Sequence, residues 1–346
     1  MRRFLLVQLK RLGDLILTAP AVAALREAAP GAEIVMLTPK GAADLARCIK
    51  GVDRVITYRR GGANLEAWSS AIIGPWEACF DFTGTDRSAL LTSLTKARER
   101  LGYAKFAENR LRKRAYTRLC EAKVRDLHTV DFHLALVAEL FMNAGSRFKV
   151  QSRVGEQVHS ECMEIPKEVK NGLRKELEAR GIVTSYAVVH PGTAREEKSW
   201  NASQWAEVIT HIHEEFSLPV VLTGSGDGWE HAHLQDIQKR LRVPVVDLSN
   251  QLSLSELAAL VQGCSLMVGV DSMAMHVAAM FERPQVALFG PTNPFHWRPR
   301  HERALVLTSG SPQPLRDYYP RMEKGDVKLI STDSVLRAIR NLVSSQ

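Results

Sequence analysis

The chain has 346 residues, 45% of them hydrophobic and 24% charged, with a formal net charge of +8. That length exceeds one ordinary core and suits two domains of roughly 150 residues each, and the composition excludes a disordered or fibrous chain. No apolar run reaches the roughly 18 residues that span a bilayer, and five widely spaced cysteines with no C-x-x-C pair argue against a disulfide framework or a zinc site.

The N-terminus starts like a signal peptide, but Lys10, Arg11 and Asp14 interrupt the apolar run, so a cytoplasmic protein is expected. "RFLLVQL" is a strand, followed by the turn "KRLGD". "APAVAALREAAPG" is a helix ended by Pro30-Gly31. "AEIVMLT", "VDRVITY" and "EACFDFTG" are strands, with "KGAADLARCI" helical between the first two. Continuous apolar strands alternating with helices predict a parallel sheet covered on both faces. Asp14 comes after the first strand, where it is either a helix cap or a base aimed into a cleft. Residues 96–126 then hold eleven Lys/Arg against four Asp/Glu. Such a run reads as a solvated helical face or as a basic patch for phospholipid, a phosphorylated acceptor or nucleic acid. With few aromatics and no RNA-binding motif, nucleic acid is not expected as a partner.

The second half repeats the pattern. "YAVVHPG", "PVVLTGSG", "VPVVDLS", "SLMVGVD" and "PQVALFG" are five strands. The helices between them are "ASQWAEVITHIHEEF", "WEHAHLQDIQKRL", "SLSELAALVQGC" and "SMAMHVAAMF", the third opened by the capping box of Ser253 and Glu256. The fold class is α/β, two facing Rossmann-like domains. The expected division is 1–165, 166–328 and a last helix, 329–346, that could pack on either domain, including back on the N-terminal one.

Ligands of open α/β sheets bind at the carboxyl ends of strands. After "YAVV" come His190, Pro191, Gly192 and Thr193, with Lys198 five residues beyond Thr193. A flexible amine near open N–H groups suits a phosphate, and an ordinary surface loop is the plain alternative. After "PVVL", the glycines of "TGSGDG" suit close approach of a phosphate. Trp229 breaks the dinucleotide fingerprint, while Asp247 stands near where a ribose-binding acid belongs. Glu230 is a first-turn acid or a ribose ligand. After "SLMVGV", Asp271 and Ser272 read as helix caps or as an anion site. His276, one turn on, reads as a satisfied core histidine or a ligand. "PTNPFHWRPR" reads as a rigid loop.

Four motifs in order, "KRLGDLILTAP", "HPGTAREEKSW", "GVDSMAMHVAA" and "LFGPTNPFHWRP", resemble the heptosyltransferases of the lipopolysaccharide inner core. "KRLGD" and "FHWRP" have the form of the heptosyltransferase III branch. The resemblance implies the glycosyltransferase-B fold, with acceptor on the N-terminal domain and nucleotide sugar on the C-terminal one. It matches Asp14 to the base and Lys198 to the donor-phosphate lysine. Thr193, Asp271, Ser272, Met273, Ala274 and His276 match the ADP-heptose-binding segments, and Glu230 and Leu252 the ribose and adenine contacts. At Met273 the family usually has a small residue.

The implied reaction is inverting transfer of heptose from ADP-heptose to an inner-core sugar hydroxyl, with no cofactor and no metal site. For the acceptor, Lys10, Arg59, Arg60, Arg112 and Arg114 are the cations expected to hold acidic core sugars or phosphates. The inner face of the inner membrane is the expected place of work. Three alternatives stand beside this: a transferase of the same fold with another nucleotide sugar, an NAD-dependent oxidoreductase using "TGSGDG" and Asp247, and a non-enzymatic anion- or membrane-binding protein.

Overall fold

The computed structural model describes residues 1–59, 61, 64–142, 162–226 and 228–344. The chain divides into two units, Met1–Glu164 and Ile165–Gln346.

The first unit carries strands β1 (Arg3–Val7), β2 (Glu33–Pro39), β3 (Arg54–Tyr58), β4 (Ala78–Asp81), β5 (Glu99–Tyr103) and β6 (Arg118–Cys120). Its helices are α1 (Leu12–Ile16), α2 (Ala19–Ala28), α3 (Ala43–Arg47), α4 (Leu65–Ile72), α5 (Asp86–Leu94), α6 (Arg110–Ala115) and α7 (Thr129–Phe141). All strand pairs are parallel, in the order β3-β2-β1-β4-β5-β6. Phe4 to Val7 of β1 are fully buried, as a central strand covered on both faces requires. Pro20 stands in the first turn of α2, where its missing N–H costs nothing, and the helix stops two residues before Pro30.

The basic segment 96–126 is not one helical face. It holds β5, α6 and β6. Gly102 makes this packing possible: a Cβ there would lie 2.5 Å from the ring of Tyr116.

The second unit carries β7 (Ala187–His190), β8 (Val220–Leu222), β9 (Val246–Asp247), β10 (Leu266–Val270), β11 (Gln285–Phe289) and β12 (Ala304–Thr308). The helices are α8 (Lys167–Ala179), α9 (Ala202–Phe216), α10 (Gly228–Arg240), α11 (Leu254–Gly263), α12 (Met273–Met280), α13 (Pro294–Trp297) and α14 (Thr332–Val343). This sheet is also parallel, in the order β12-β11-β10-β7-β8-β9. It has one strand more than the five expected, the edge strand β12. The rigid loop expected after β11 contains the short helix α13, capped by Asn293, whose side chain accepts from the Phe295 N–H.

The last helix packs on α9, β11 and β12 of the second unit. Its entry is fixed by Trp200, whose Nε1–H donates to the Ile330 carbonyl at 2.9 Å. Arg340 binds both carboxylate oxygens of Glu215 on α9, at 2.6 and 2.8 Å. Val335, Ala338 and Ile339 are fully buried in the same core as Trp200 and Trp205. An Ile339→Ala variant should therefore lose about 2–5 kcal/mol of stability, the usual cost of such a cavity, measured by urea denaturation.

Candidate functional site

Each sheet has a point where strand order reverses: between β1 and β4 in the first unit, and between β7 and β10 in the second. Crevices at such points are where open α/β sheets bind ligands.

In the second unit, three loops converge on one carboxylate oxygen. Lys198, from the loop after β7, places Nζ 2.5 Å from Oδ2 of Asp271, the first residue after β10. Thr292, from the loop after β11, donates its hydroxyl to the same oxygen at 2.7 Å. Both charged side chains are largely buried, at 13% and 7% exposed. Asp271 therefore does not cap α12. Ser272 occupies the cap position but makes no capping bond, and its buried Oγ has no partner among the described residues. The first N–H groups of α12 are thus left without a side-chain cap beside a cation, the arrangement that favours an anion.

Met273 and Ala274 open α12, Met273 half-buried and Ala274 fully buried. His276, one turn in, is buried, yet its Nδ1 has no partner among the described residues. It is not the satisfied core histidine of the plain reading. Burial holds its pKa down at about 4, with Asp271 pulling the other way.

On the β8 side, Glu230 is buried and accepts the Ser225 N–H at 2.6 Å. A Cβ on Gly192 would lie 2.1 Å from its Oε1, and one on Gly224 2.9 Å. These two glycines make room for a carboxylate that joins the loops after β7 and β8. Gly224 therefore serves Glu230 rather than an open phosphate approach. Thr193 is buried beside them, and Leu252 is half-buried just before the capping box, where Ser253 Oγ accepts the Glu256 N–H as expected. Asp247 is already engaged by the Ser249 N–H at 2.9 Å and by the Gln238 side chain. The dinucleotide alternative thus lacks both a full glycine fingerprint and a free ribose acid.

In the first unit, Asp14 stands in the first turn of α1, but the cap position belongs to Arg11, which makes no side-chain cap. Burial raises the pKa of Asp14, against the opposing pull of Lys10 and Arg11. Its backbone is clamped: Thr18 Oγ1 donates to the Asp14 carbonyl at 2.8 Å, and Gln8 Nε2 donates to Thr18 Oγ1 at 3.0 Å. From the turn after β4, Thr83 Oγ1 accepts the Leu9 N–H at 2.8 Å. Fully buried Asp81 holds that turn, accepting from the Thr83 and Gly84 N–H groups at 2.8 and 3.0 Å and from the Tyr116 hydroxyl at 2.7 Å. In the same unit, the Tyr103 hydroxyl pairs with His133 Nδ1 at 3.0 Å.

Sequence reasoning missed this support. Its one local signal is Asp81 with Thr83 and Gly84 just beyond it at a strand end, the pattern of an Asx turn.

Two of the acceptor cations, Lys10 and Arg112, meet at Phe106. Lys10 lies over the Phe106 ring at 5.1 Å. Arg59 is exposed after β3, Arg114 is exposed on α6, and Arg60 lies outside the described residues. Arg112 is paired with Asp86 and donates to the Phe106 carbonyl at 3.1 Å. Among the described residues no group of three His, Cys, Asp or Glu side chains is placed to hold a metal. All five cysteines are buried, and no disulfide joins them.

Burial holds His133 at about 3 and His190, His276 and His301 at about 4. An unfolded histidine titrates near 6.5, so between pH 6.5 and 4 the unfolded chain binds more protons than the fold. These four groups therefore stabilise the fold fully above pH 6.5 and lose that contribution as pH falls toward 4. Each contributes at most about 1.4 kcal/mol per pH unit. In urea denaturation at a series of pH values, His301→Gln should show a shallower loss on acidification than the parent protein.

A profile of glycosyltransferase family 9 (heptosyltransferase) matches residues 74–324. An Escherichia coli protein named lipopolysaccharide heptosyltransferase 3 is 30% identical over 50% of this chain and 51% of its own length, so that match spans about half of the relative. A protein of the same name from E. coli strain K12 is 23% identical over 96% of this chain and 95% of its own. The structure of E. coli ADP-heptose lipopolysaccharide heptosyltransferase II superposes with a TM-score of 0.78 at 19% identity, covering 100% of this chain and 99% of that one. It shows the same glycosyltransferase-B fold of two parallel sheets. The family match runs from just before β4 to beyond β12 and takes in Lys198, Glu230 and Asp271, and the chain belongs to glycosyltransferase family 9.

Proposed function

We propose that this glycosyltransferase moves heptose from ADP-heptose to a sugar hydroxyl of the lipopolysaccharide inner core, with inversion at the anomeric carbon. The observation that carries this reading is the Lys198–Asp271–Thr292 cluster beside the uncapped N-terminus of α12. A pyrophosphate is a better partner for Lys198 than a lone carboxylate, because helix N–H groups can share it. Ser272 Oγ and His276 Nδ1 are buried without partners among the described residues. Such groups cost about 1–3 kcal/mol while unmade, and a bound nucleotide sugar offers them oxygens. Thr193 and Ala274 belong to the segments proposed to meet the donor, with Glu230 at its ribose and Leu252 at its adenine. The names of the related proteins supply the donor: one is an ADP-heptose heptosyltransferase. Met273, half-buried at the start of α12, is the position that would set which sugar fits.

Chemically, an acceptor hydroxyl oxygen bonds to the anomeric carbon as the bond from that carbon to the β-phosphate oxygen breaks. ADP leaves with the electron pair, and Lys198 and the α12 N–H groups balance its charge. The hydroxyl proton goes to Asp14, whose burial raises its pKa and makes it a stronger base than a solvated carboxylate. Lys10, Arg59, Arg60 and Arg114 supply cations for an acidic acceptor, while Arg112 is committed to Asp86. No helix among the described residues is long and apolar enough to cross a membrane.

With ADP-heptose and isolated core acceptor, Asp14→Asn should lower kcat by about 10²–10⁴-fold, the range of a general base, with the donor KM unchanged. The product linkage, read by the anomeric NMR coupling, should be opposite to that of the donor. Retained turnover in Asp14→Asn, or a retained configuration, contradicts the proposed mechanism.

A further inference from the structure

Lys10, after β1, and Asp14, in the first turn of α1, are four residues apart, and this closeness conflicts with the roles proposed for them. A lysine carries its charge on a long flexible stem, and a cation within about 4–6 Å lowers a carboxyl pKa by about 1–3. An ion pair between the two would weaken the base and neutralise the cation at once. Among the described residues no ion pair joins them. The Lys10 ammonium lies instead over the face of Phe106, 5.1 Å from the ring centre. An aromatic face attracts a cation without cancelling its charge.

Phe106 is held from several sides. It ends the short turn Ala104–Phe106 at the carboxyl end of β5. Its ring meets Tyr103 edge to face, with 5.7 Å between ring centres, and Phe132 of α7 in the same way at 6.3 Å. Gly84, after β4, leaves room for the ring. A Cβ there would lie 2.2 Å from it, and the φ of +69° is one that side chains rarely adopt. Arg112 donates to the Phe106 carbonyl at 3.1 Å and is itself tied to Asp86. The ring that Lys10 meets is therefore fixed, at the end of the sheet that carries Asp14.

Burial raises the pKa of Asp14, and Lys10 is the strongest of the groups that oppose it, ahead of the Arg11 N–H and the Arg11 charge. From β5, Asp14 faces the Tyr103 hydroxyl, which burial keeps protonated and which also faces Asp81 of β4. From α7, His133 faces Lys10, and burial holds it at about 3, so it is neutral at pH 7. The place of the Lys10 ammonium thus decides how basic the carboxylate is.

We propose that Phe106 is a positioning residue: its ring holds the Lys10 ammonium off Asp14, so that the carboxylate stays without an ion pair and the cation keeps its charge for an acidic acceptor. This rests on Asp14 as the base, but the placement of the charge can be read without turnover.

The test is a carbon-13 NMR titration of the full chain labelled at its aspartate carboxyls, with the Asp14 signal assigned by its loss in Asp14→Asn. In Phe106→Leu the Asp14 carboxyl should titrate about 1–3 pH units lower than in the parent protein. Phe106→Met, which fills the space without an aromatic face, should behave as Phe106→Leu does. Phe106→Tyr, which keeps the face, should titrate as the parent protein does. Lys10→Met should remove the drop when added to Phe106→Leu, and should change Asp14 less in the parent background, a non-additive cycle. In turnover, the acid limb of kcat in Phe106→Leu should move to lower pH with the carboxyl, because the base stays deprotonated further down, while the plateau falls. An Asp14 titration unchanged in both Phe106→Leu and Phe106→Met overturns the proposal. So does a drop that survives Lys10→Met. A shifted Asp14 titration with an unmoved kcat profile upholds the placement of Lys10 and removes Asp14 as the base.

Discussion

Lys198 and Asp271 meet where the second sheet reverses direction, and much of that unit serves to keep two opposite charges there. Taking both from water costs several kcal/mol per ion, and their attraction repays it only with good geometry and added hydrogen bonds. Thr292 supplies one such bond, on the oxygen that Lys198 also uses. The pair joins neighbouring strands β7 and β10 at their carboxyl ends, so it depends on the sheet, and the crevice depends on it. The pair also explains why α12 has no cap. An Asp271 turned toward the helix would satisfy its N–H groups and close the anion site. Held by Lys198, it leaves them available. In the proposed donor complex the lysine changes partner to the pyrophosphate, and the carboxylate keeps its threonine.

The first unit solves the opposite problem. The base proposed at Asp14 needs its carboxylate less stabilised than water would have it, yet Lys10 and Arg11 stand next to it. Burial outweighs both and raises the pKa. The clamp of Gln8 and Thr18 on one side, and the Asp81 and Thr83 turn on the other, hold the backbone that carries it. In the proposed reaction each unit meets one requirement of group transfer at the same topological place: a proton acceptor after β1, a counter-charge after β7.

The strands that frame both crevices were legible because central parallel strands read as continuous apolar runs. The loops at their carboxyl ends were legible as residue types. Their pairings were not. Lys198 and Asp271 are 73 residues apart, and only the strand order brings them together. Asp81 finds Tyr116 from 35 residues away, across β5, through space that Gly102 leaves open. Strands β5 and β6 were hidden because they lie in a segment dense in arginine, which reads as a solvated helix, and β6 is a short edge strand. The last helix shows its apolar stripe in the sequence, but a stripe does not say which core receives it.

The central claim is that the crevice around Lys198 holds an adenine nucleotide through its phosphates. Calorimetric titration with ADP, and with UDP, GDP and NADH in parallel, tests it most directly. ADP should bind well above the other three, and Lys198→Ala should abolish that binding. Equal binding of all four, preference for another nucleotide, or ADP binding that survives in Lys198→Ala would contradict it.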